Sequence, residues 1–542
     1  MRSTMKYFSI ILAACSIALA AVAQTDTNAP ATASVSNGIA GQRDTNALAA
    51  TADTNAAPTM ADTNATSSTV DTNANAHAMS LQDCIQEALQ HNLDVQIQRY
   101  NPQISLYNLR AAYSGYDPTF SVSGTHNYSV TPSSYSSIIG GLTPSVSSDG
   151  NSFSSGISGG LLPWGLGYNL NSSLSQENLP FDSASAQVGV TLTQPLLKNF
   201  WIDSTRLNIR VAKNRLKYSE QGLRQQIITS ATAVENAYYE LIYALENVEV
   251  QQEALELAQT QLDQDNQRVQ IGTLAVLSVQ QDKSQVAQSQ ANLIAAQSTL
   301  ATDQNTLKNL LTDNYTQWHG TDIQPTETLM APPEMFNLQE SWTKGMAERP
   351  DLLQAKLNVE QQGIQLKYNF NQILPELNLT GSYGYNGSGK VYENAVDQAG
   401  EGNAPFYSYG ATLSVPLGNV NARNQYKAAK ASLRQIELQF KQLEQNILVE
   451  IDNAVKVAES DYQSVQATKQ ARIYAEAALD AEQKTYAVGK ATTFEVLQYQ
   501  NNLTTARSAE IRALANYNEA LANLAAQEGS TLERNRIDLQ VK

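Results

Sequence analysis

The stretch RVQIGTLAVLSVQQ, Arg268 to Gln281, decides how the rest of the chain is read. It stands between two long Ala- and Gln-rich runs of helical character. A glycine inside one continuous helix costs about 1 kcal/mol relative to alanine, whereas glycine just past a helix end accommodates the left-handed turn there. A second stretch favours the turn. In TYAVGKATTFEVL, Thr485 to Leu497, Gly489 stands where Gly272 stands in the first.

Three further echoes precede these in the same order. NLDVQIQRYN at Asn92 returns as RPDLLQAKLN at Arg349, and YDPTFSVSGTHNYS with Pro118 returns as ILPELNLTGSYGYN with Pro375. VGVTLTQPL with Pro195 returns as YGATLSVPL with Pro416. Each half therefore reads helix, strand, strand, long helix, glycine, helix. The heptads agree. Val234, Leu241, Val248, Leu255, Leu262 and Val269 lie seven apart before Gly272, and Val279, Val286, Leu293, Leu300 and Leu307 follow it. Ile451, Ala458, Val465, Arg472, Leu479 and Tyr486 precede Gly489, with Val496, Leu503, Glu510, Tyr517 and Leu524 after it. A seven-residue period means long helices packed side by side. Arg472 and Glu510 interrupt these seams, and Gln252, Gln259 and Asn266 make the neighbouring seam polar. Residues 204–271 and 422–488 predict helices of about 100 Å at 1.5 Å per residue. The helices predicted over 80–115, 274–312, 341–373 and 492–527 are about half as long, so that two stacked end to end match one long helix.

The segments between helices have another period. TFSVSGTHNYSV, ELNLTGSYGYN, SAQVGVTLTQPL and FYSYGATLSVPL alternate and carry almost no charge. Uncharged period-two runs of about ten residues with aromatics are the pattern of transmembrane β-strands. Four strands cannot close a barrel, and an open edge in lipid leaves backbone groups unpaired, so the chain is expected to oligomerise, three copies giving twelve strands. Residues 131–182 remain open between an extracellular loop and a further hairpin. The four prolines are expected at helix–strand transitions. Trp164, Trp201, Tyr107 and Tyr407 read either as interfacial girdle residues or as packing residues.

The chain begins with a targeting segment. Arg2 and Lys6 precede an apolar run that ends in a small-residue site before Gln24, which predicts a signal peptide over 1–23. A rival reading takes LAAC, Leu12 to Cys15, as a lipid-acceptor box. Residues 24–78 repeat DTNA at Asp26, Asp44, Asp53, Asp62 and Asp71, have almost no large apolar side chains and are expected to be disordered. A first repeat is expected over 79–312, an inter-repeat segment over 313–341, a second repeat over 342–527 and a tail over 528–542. With 35 Lys and Arg against 51 Asp and Glu, the net charge of −16 argues against nucleic acid. The four histidines lack ligand spacing, and no nucleotide loop or catalytic triad is present, so neither enzyme activity, cofactor nor metal is expected.

These stretches, RPDLLQAK, LPELNLTGSY, VGVTLTQPLL, QIGTLAVLSVQQDKSQ and YAVGKATTFEVLQYQNNL, resemble the TolC family of outer-membrane efflux and export channels over residues 80–530. The resemblance implies a mixed α/β membrane protein. Its homotrimer would form a twelve-stranded barrel in outer-membrane lipid, continued by an α-helical coiled-coil barrel through the periplasm. It implies a passive conduit fed by an inner-membrane transporter through a periplasmic adaptor, in an efflux pump or a type I secretion system. The residues corresponding to the periplasmic tips and adaptor docking are Gly272, Thr273, Leu274, Ala275, Val276, Leu277, Gly489, Lys490 and Thr492. Those at the entrance constriction are Ser278, Tyr486, Ala491, Glu495 and Gln498. Family members carry acidic residues at the Ser278 and Gln498 positions and arginine at Ala491, so the usual salt-bridge latch is missing here. Glu495 reads either as a member of an acidic ring or as a solvated first-turn carboxylate. The rival to a channel is a secreted structural coiled-coil surface protein, which leaves the four period-two segments without a role.

Overall fold

A computed structural model describes residues 76–537, apart from 137, 139, 162, 163 and 179–181. The expected signal peptide, Cys15, most of the DTNA segment and residues 538–542 lie outside the described residues.

The chain opens with β1 (Ala76–Met79), α1 (Leu81–His91) and α2 (Leu93–Ala112). Six strands and a long helix follow: β2 (Thr119–Thr131), β3 (Ser134–Ser136), β4 (Gly141–Thr143), β5 (Val146–Leu161), β6 (Leu166–Glu177), β7 (Ser183–Pro195) and α3 (Ser204–Gln270). The turn at Gly272 leads into α4 (Val276–Leu311). Between the halves lie α5 (Tyr315–Trp318) and β8 (Asp322–Pro325). The second half runs α6 (Leu338–Glu348), α7 (Pro350–Asn371), β9 (Glu376–Gly389), α8 (Tyr392–Glu401), β10 (Pro405–Ser414), α9 (Val420–Ala487), α10 (Thr493–Glu528) and α11 (Thr531–Arg534).

The heptad side chains build the helical part. Val234, Leu241, Leu255, Val279, Leu293, Ile451, Val465, Leu479 and Leu503 are buried, each contributing on the order of 1.5–3 kcal/mol. α3 pairs with α4 and α9 with α10, and α10 packs against α3 to join the two hairpins. Arg472 and Glu510, which interrupt the seams, are partners: the Arg472 guanidinium donates to the Glu510 carboxylate across α9 and α10, and also reaches Glu476 at 3.1 Å. The short helices stack. Asn92 caps α2 and donates to the Leu310 carbonyl at the end of α4 at 3.0 Å. Arg349, at the start of α7, donates to Gln527 Oε1 near the end of α10 at 2.8 Å. Around this junction β1 and β8 form a parallel pair over a core of Cys84, Ile85, Tyr238, Leu241, Leu307, Leu311 and Ile323. Burial pushes the Cys84 thiol up to about 12, which leaves it unreactive. β1 takes in residues 76–78, assigned above to the low-complexity tail. The backbone ladder to Asp322–Gln324 makes these residues a strand, and the His77 and Ala78 side chains are exposed, so no hydrophobic period marks it.

The sheet corrects the expected strand count. Its order is β10-β9-β7-β6-β5-β2, six antiparallel strands where four were expected. Residues 131–182 supply both the small β3–β4 hairpin and the added pair β5 and β6. In β5 only Val146, Phe153, Ile157 and Leu161 are large and apolar; Ser and Gly occupy most other positions on both faces, so the alternation is too sparse to read alone. Pairing reveals two unlike faces. One carries Phe120, Val122, Phe153, Ile157, Leu170, Val188, Val190, Leu192, Leu379, Tyr383, Tyr407 and Leu413. The other carries hydroxyls that bond across strands: Ser123 to Ser154 at 2.7 Å, Thr125 to Ser152 at 2.6 Å, Ser175 to Ser185 at 2.7 Å and Ser382 to Ser408 at 2.6 Å. A soluble coiled-coil rod has no use for such a sheet.

α8 was not anticipated. Ala395 and Ala399 rest on Ala184 and Ala186, beside Leu174 and Tyr392. Gly387 permits this approach, since a Cβ there would lie 1.9 Å from the Ala395 carbonyl oxygen.

At the junction of sheet and helices Arg206 donates to the Phe200 and Asn199 carbonyls, each at 2.6 Å, and pairs with Asp203 at 2.9 Å. Asp203 is also the N-cap of α3. Removing one partner of a buried ion pair leaves the other charge unsatisfied. Arg206→Ala is therefore expected to destabilise the protein by about 3 kcal/mol, seen as a lowered thermal midpoint of the detergent-solubilised protein.

Candidate functional site: the hairpin tips

Both tip turns close in the same way. Gly272 has φ 79° and Gly489 φ 75°. At the first, Thr273 N–H donates to Arg268 O at 2.9 Å and Gly272 N–H to Val269 O at 3.0 Å. At the second, Lys490 N–H donates to Thr485 O at 3.1 Å and Gly489 N–H to Tyr486 O at 3.0 Å. This is the paired 6→1 and 5→2 pattern that ends a helix on a left-handed glycine.

The sequence-selected residues divide by environment. Gly272, Thr273, Ala275, Val276, Leu277, Gly489, Lys490, Thr492, Glu495 and Gln498 are exposed, while Leu274, Ser278 and Ala491 are half-buried. With Ile271, Val488 and Phe494, which are also exposed, Val276 and Leu277 make the tips apolar. Glu495 is the N3 residue of a capping box. Thr492 N–H and Oγ donate to its Oε2 at 2.7 and 2.9 Å, and Glu495 N–H donates to Thr492 Oγ at 3.3 Å. These bonds hold its carboxyl below the usual range. Tyr486 differs from the others because it is buried between the helices.

The partner of Tyr486 is a residue the sequence did not flag. Its hydroxyl donates to Asp265 Oδ1 on α3 at 2.6 Å, and Thr493 Oγ on α10 donates to Asp265 Oδ2 at 3.0 Å. Tyr486 and Thr493 hydroxyls are 2.9 Å apart. Arg268 lies 3.8 Å from Asp265 Oδ1, with its guanidinium 4.5 Å from the Tyr486 ring centroid. Burial first, then the Asp265 carboxylate, pushes the Tyr486 hydroxyl up. Asp282 on α4 completes the group. Asp265 and Asp282 are both fully buried at 0% exposure. One signal pointed to them: each stands three residues past a heptad position, Leu262 and Val279, on the companion seam where an apolar residue belongs. Thr493 gave no signal, because its role depends on a contact between hairpins.

The four prolines lie at element boundaries. Pro118 and Pro375 directly precede β2 and β9, Pro195 ends β7, and Pro416 lies between β10 and α9. Trp164 and Trp201 are exposed near the helix-proximal end of the sheet, and Tyr407 is exposed in β10. Tyr107 lies in α2 and not at a strand end. Among the described residues no group of three or more His, Cys, Asp or Glu is arranged to hold a metal, and no helix is long and apolar enough to cross a membrane.

A sheet with one apolar and one hydroxyl face, continued by paired helices of about 100 Å, has the two-sided pattern of a membrane β-barrel segment. The outer membrane efflux protein model matches residues 84–312 and 344–530, and the chain belongs to that family. It is 26% identical over 323 residues to outer membrane protein TolC of Escherichia coli, covering 58% of this chain and 64% of that protein, under two thirds of its length. It is 24% identical over 377 residues to outer membrane protein TolC of Vibrio cholerae, covering 67% and 82%. Its fold matches the Campylobacter jejuni CmeC outer membrane channel with a TM-score of 0.61 at 16% identity, covering 83% of this chain and 86% of that one. The family places the protein in the outer membrane with its helices in the periplasm.

Proposed function

We propose that three copies of this chain form a passive outer-membrane duct of an efflux pump or a type I secretion system, fed by an inner-membrane transporter through a periplasmic adaptor. The observation that carries the assembly is the open sheet. β2 leads away from the helices and β10 leads back into them, so the two edges run in opposite senses and can pair between copies. In lipid neither edge can stay unpaired. Six strands from each of three chains close an eighteen-stranded barrel, wider than twelve strands allow. Beyond the part that α8 covers, its apolar face meets lipid, and its hydroxyl face lines the lumen.

The tips take the adaptor through the exposed Val276, Leu277 and Phe494 and the turn residues around Gly272 and Gly489. Ser278, Ala491, Glu495 and Gln498 border the entrance. With no acidic residue at Ser278 and no arginine at Ala491, closure falls to the buried bonds that Tyr486 and Thr493 make with Asp265. The test is direct. The protein should fractionate with outer membranes and migrate as a heat-modifiable trimer. Imaging of that trimer should show eighteen strands. A monomer, or a barrel of twelve strands, would overturn the assembly.

A further inference from the structure

We propose that Asp265 and Asp282 form a proton-operated latch that holds the four tip helices together when they share a proton and loosens them when they lose it. The latch deepens the duct reading, since its effect on passage rests on the tips being the entrance.

The geometry comes first. Asp265 accepts hydrogen bonds from α9 and α10 through Tyr486 and Thr493, and Arg268 of its own helix lies beside it. Its oxygens are therefore supplied with donors. Asp282 is the opposite case. It is fully buried on α4, and neither of its oxygens has a hydrogen-bond donor among the described residues. The group it faces is the Asp265 carboxyl. Two adjacent buried carboxylates cannot both be ionised without a large penalty, so one holds a proton. A protonated Asp282 becomes a donor to Asp265, and the ring of bonds then includes α3, α4, α9 and α10.

A proton fits this place better than a metal ion. Hard cations take six or more oxygen ligands, whereas the two hydroxyls here already point their protons at Asp265.

The titration follows from the same neighbours. From α3 the cluster includes Asp265 and Arg268, from α9 Tyr486, and from α10 only Thr493, which does not titrate. Burial, then the Asp265 charge, raises Asp282 from 3.8 to about 7. Tyr486 is raised as well, away from neutral pH. Asp282 is thus the member poised to change charge near neutrality. In a loosened tip, where water reaches Asp282, its carboxyl returns toward 3.8. The held state then binds one more proton than the loosened state between about pH 4 and 7. Its advantage is full below pH 4, declines as pH rises and levels off above 7. Between pH 5 and pH 8 the ratio of held to loosened tips falls by up to about 10²-fold.

The experiment is hydrogen exchange on the full-length protein in detergent, following amides 262–285 and 483–500 with intrinsic rates corrected for pH. Amides around Leu307 and Leu311 serve as the internal reference. Tip protection should fall about tenfold or more from pH 5.5 to 8 in the wild type. Asp282→Asn, which cannot ionise but can still donate, should remove the pH step. Tyr486→Phe should lower protection at every pH and keep the step. An unchanged step in Asp282→Asn, or a flat wild-type profile, overturns the proposal. So does a response to added calcium or chelator in place of pH, which would make the pair a metal site. A bilayer conductance arm separates the two readings. A step in exchange without any step in conductance leaves the latch standing and removes the tips from the entrance.

Discussion

Aspartate in place of both Ile97 and Tyr100 is expected to abolish the proposed trimer and leave a folded monomer. Along α2, Leu93, Ile97, Tyr100, Ile104 and Tyr107 are spaced four, three, four and three residues apart, and they are 52–64% exposed. That spacing is a coiled-coil seam without a partner among the described residues. Each of these side chains contributes on the order of 1.5–3 kcal/mol when another surface covers it. An unpaired carboxylate in the same place costs several kcal/mol more. Two such changes per chain, repeated in three copies, exceed what sheet-edge pairing alone can hold. The monomer should retain its helical circular dichroism, because neither side chain belongs to the intrachain core. The measurement is the heat-modifiable band together with the mass in detergent. A trimer of normal stability would show that α2 faces something other than a second copy.

The second large effect is expected at the tips. Gly272→Val combined with Gly489→Val should reduce transport at least tenfold while trimers still insert. Both glycines hold φ near 75–79°, where a β-branched residue is strained by about 1–3 kcal/mol at each site. Nothing lies within 4 Å of a Cβ at either position, so the cost is conformational and not a clash. The strain is relieved by rebuilding the turn, which displaces Val276, Leu277 and Lys490 together. Stability of the barrel should change little, because the turns lie far along the chain from the strands. Transport is read from the resistance or secretion that the wild-type gene confers. Undiminished transport by the double variant would remove the tips from the docking surface.

Much of the architecture is legible in the sequence alone. Helix limits predicted over 204–271 and 422–488 fall within about two residues of Ser204–Gln270 and Val420–Ala487. The reason is that each heptad residue contacts neighbours on its own hairpin, so its period is written locally. Gly272 and Gly489 were readable for a similar reason, since a left-handed turn depends on one residue's lack of a Cβ. The candidate site was only half readable. Its exposed turn residues came from the matched motifs, but Asp265 and Thr493 did not, because their bond joins residues 228 positions apart.

The sequence by itself determined the long helices, their glycine turns and the existence of uncharged strands between them, all properties of short windows with a regular period. Only the tertiary structure decided that the sheet has six strands, because Ser- and Gly-rich β5 shows its two faces only once its neighbours are paired. It also decided the seat of α8, which depends on the absence of a side chain at Gly387 beneath Ala395. The meeting of Asp265 and Asp282 is of the same kind. An aspartate beside a heptad seam hints at burial, but its chemistry arises only when a second carboxyl is brought against it out of reach of water.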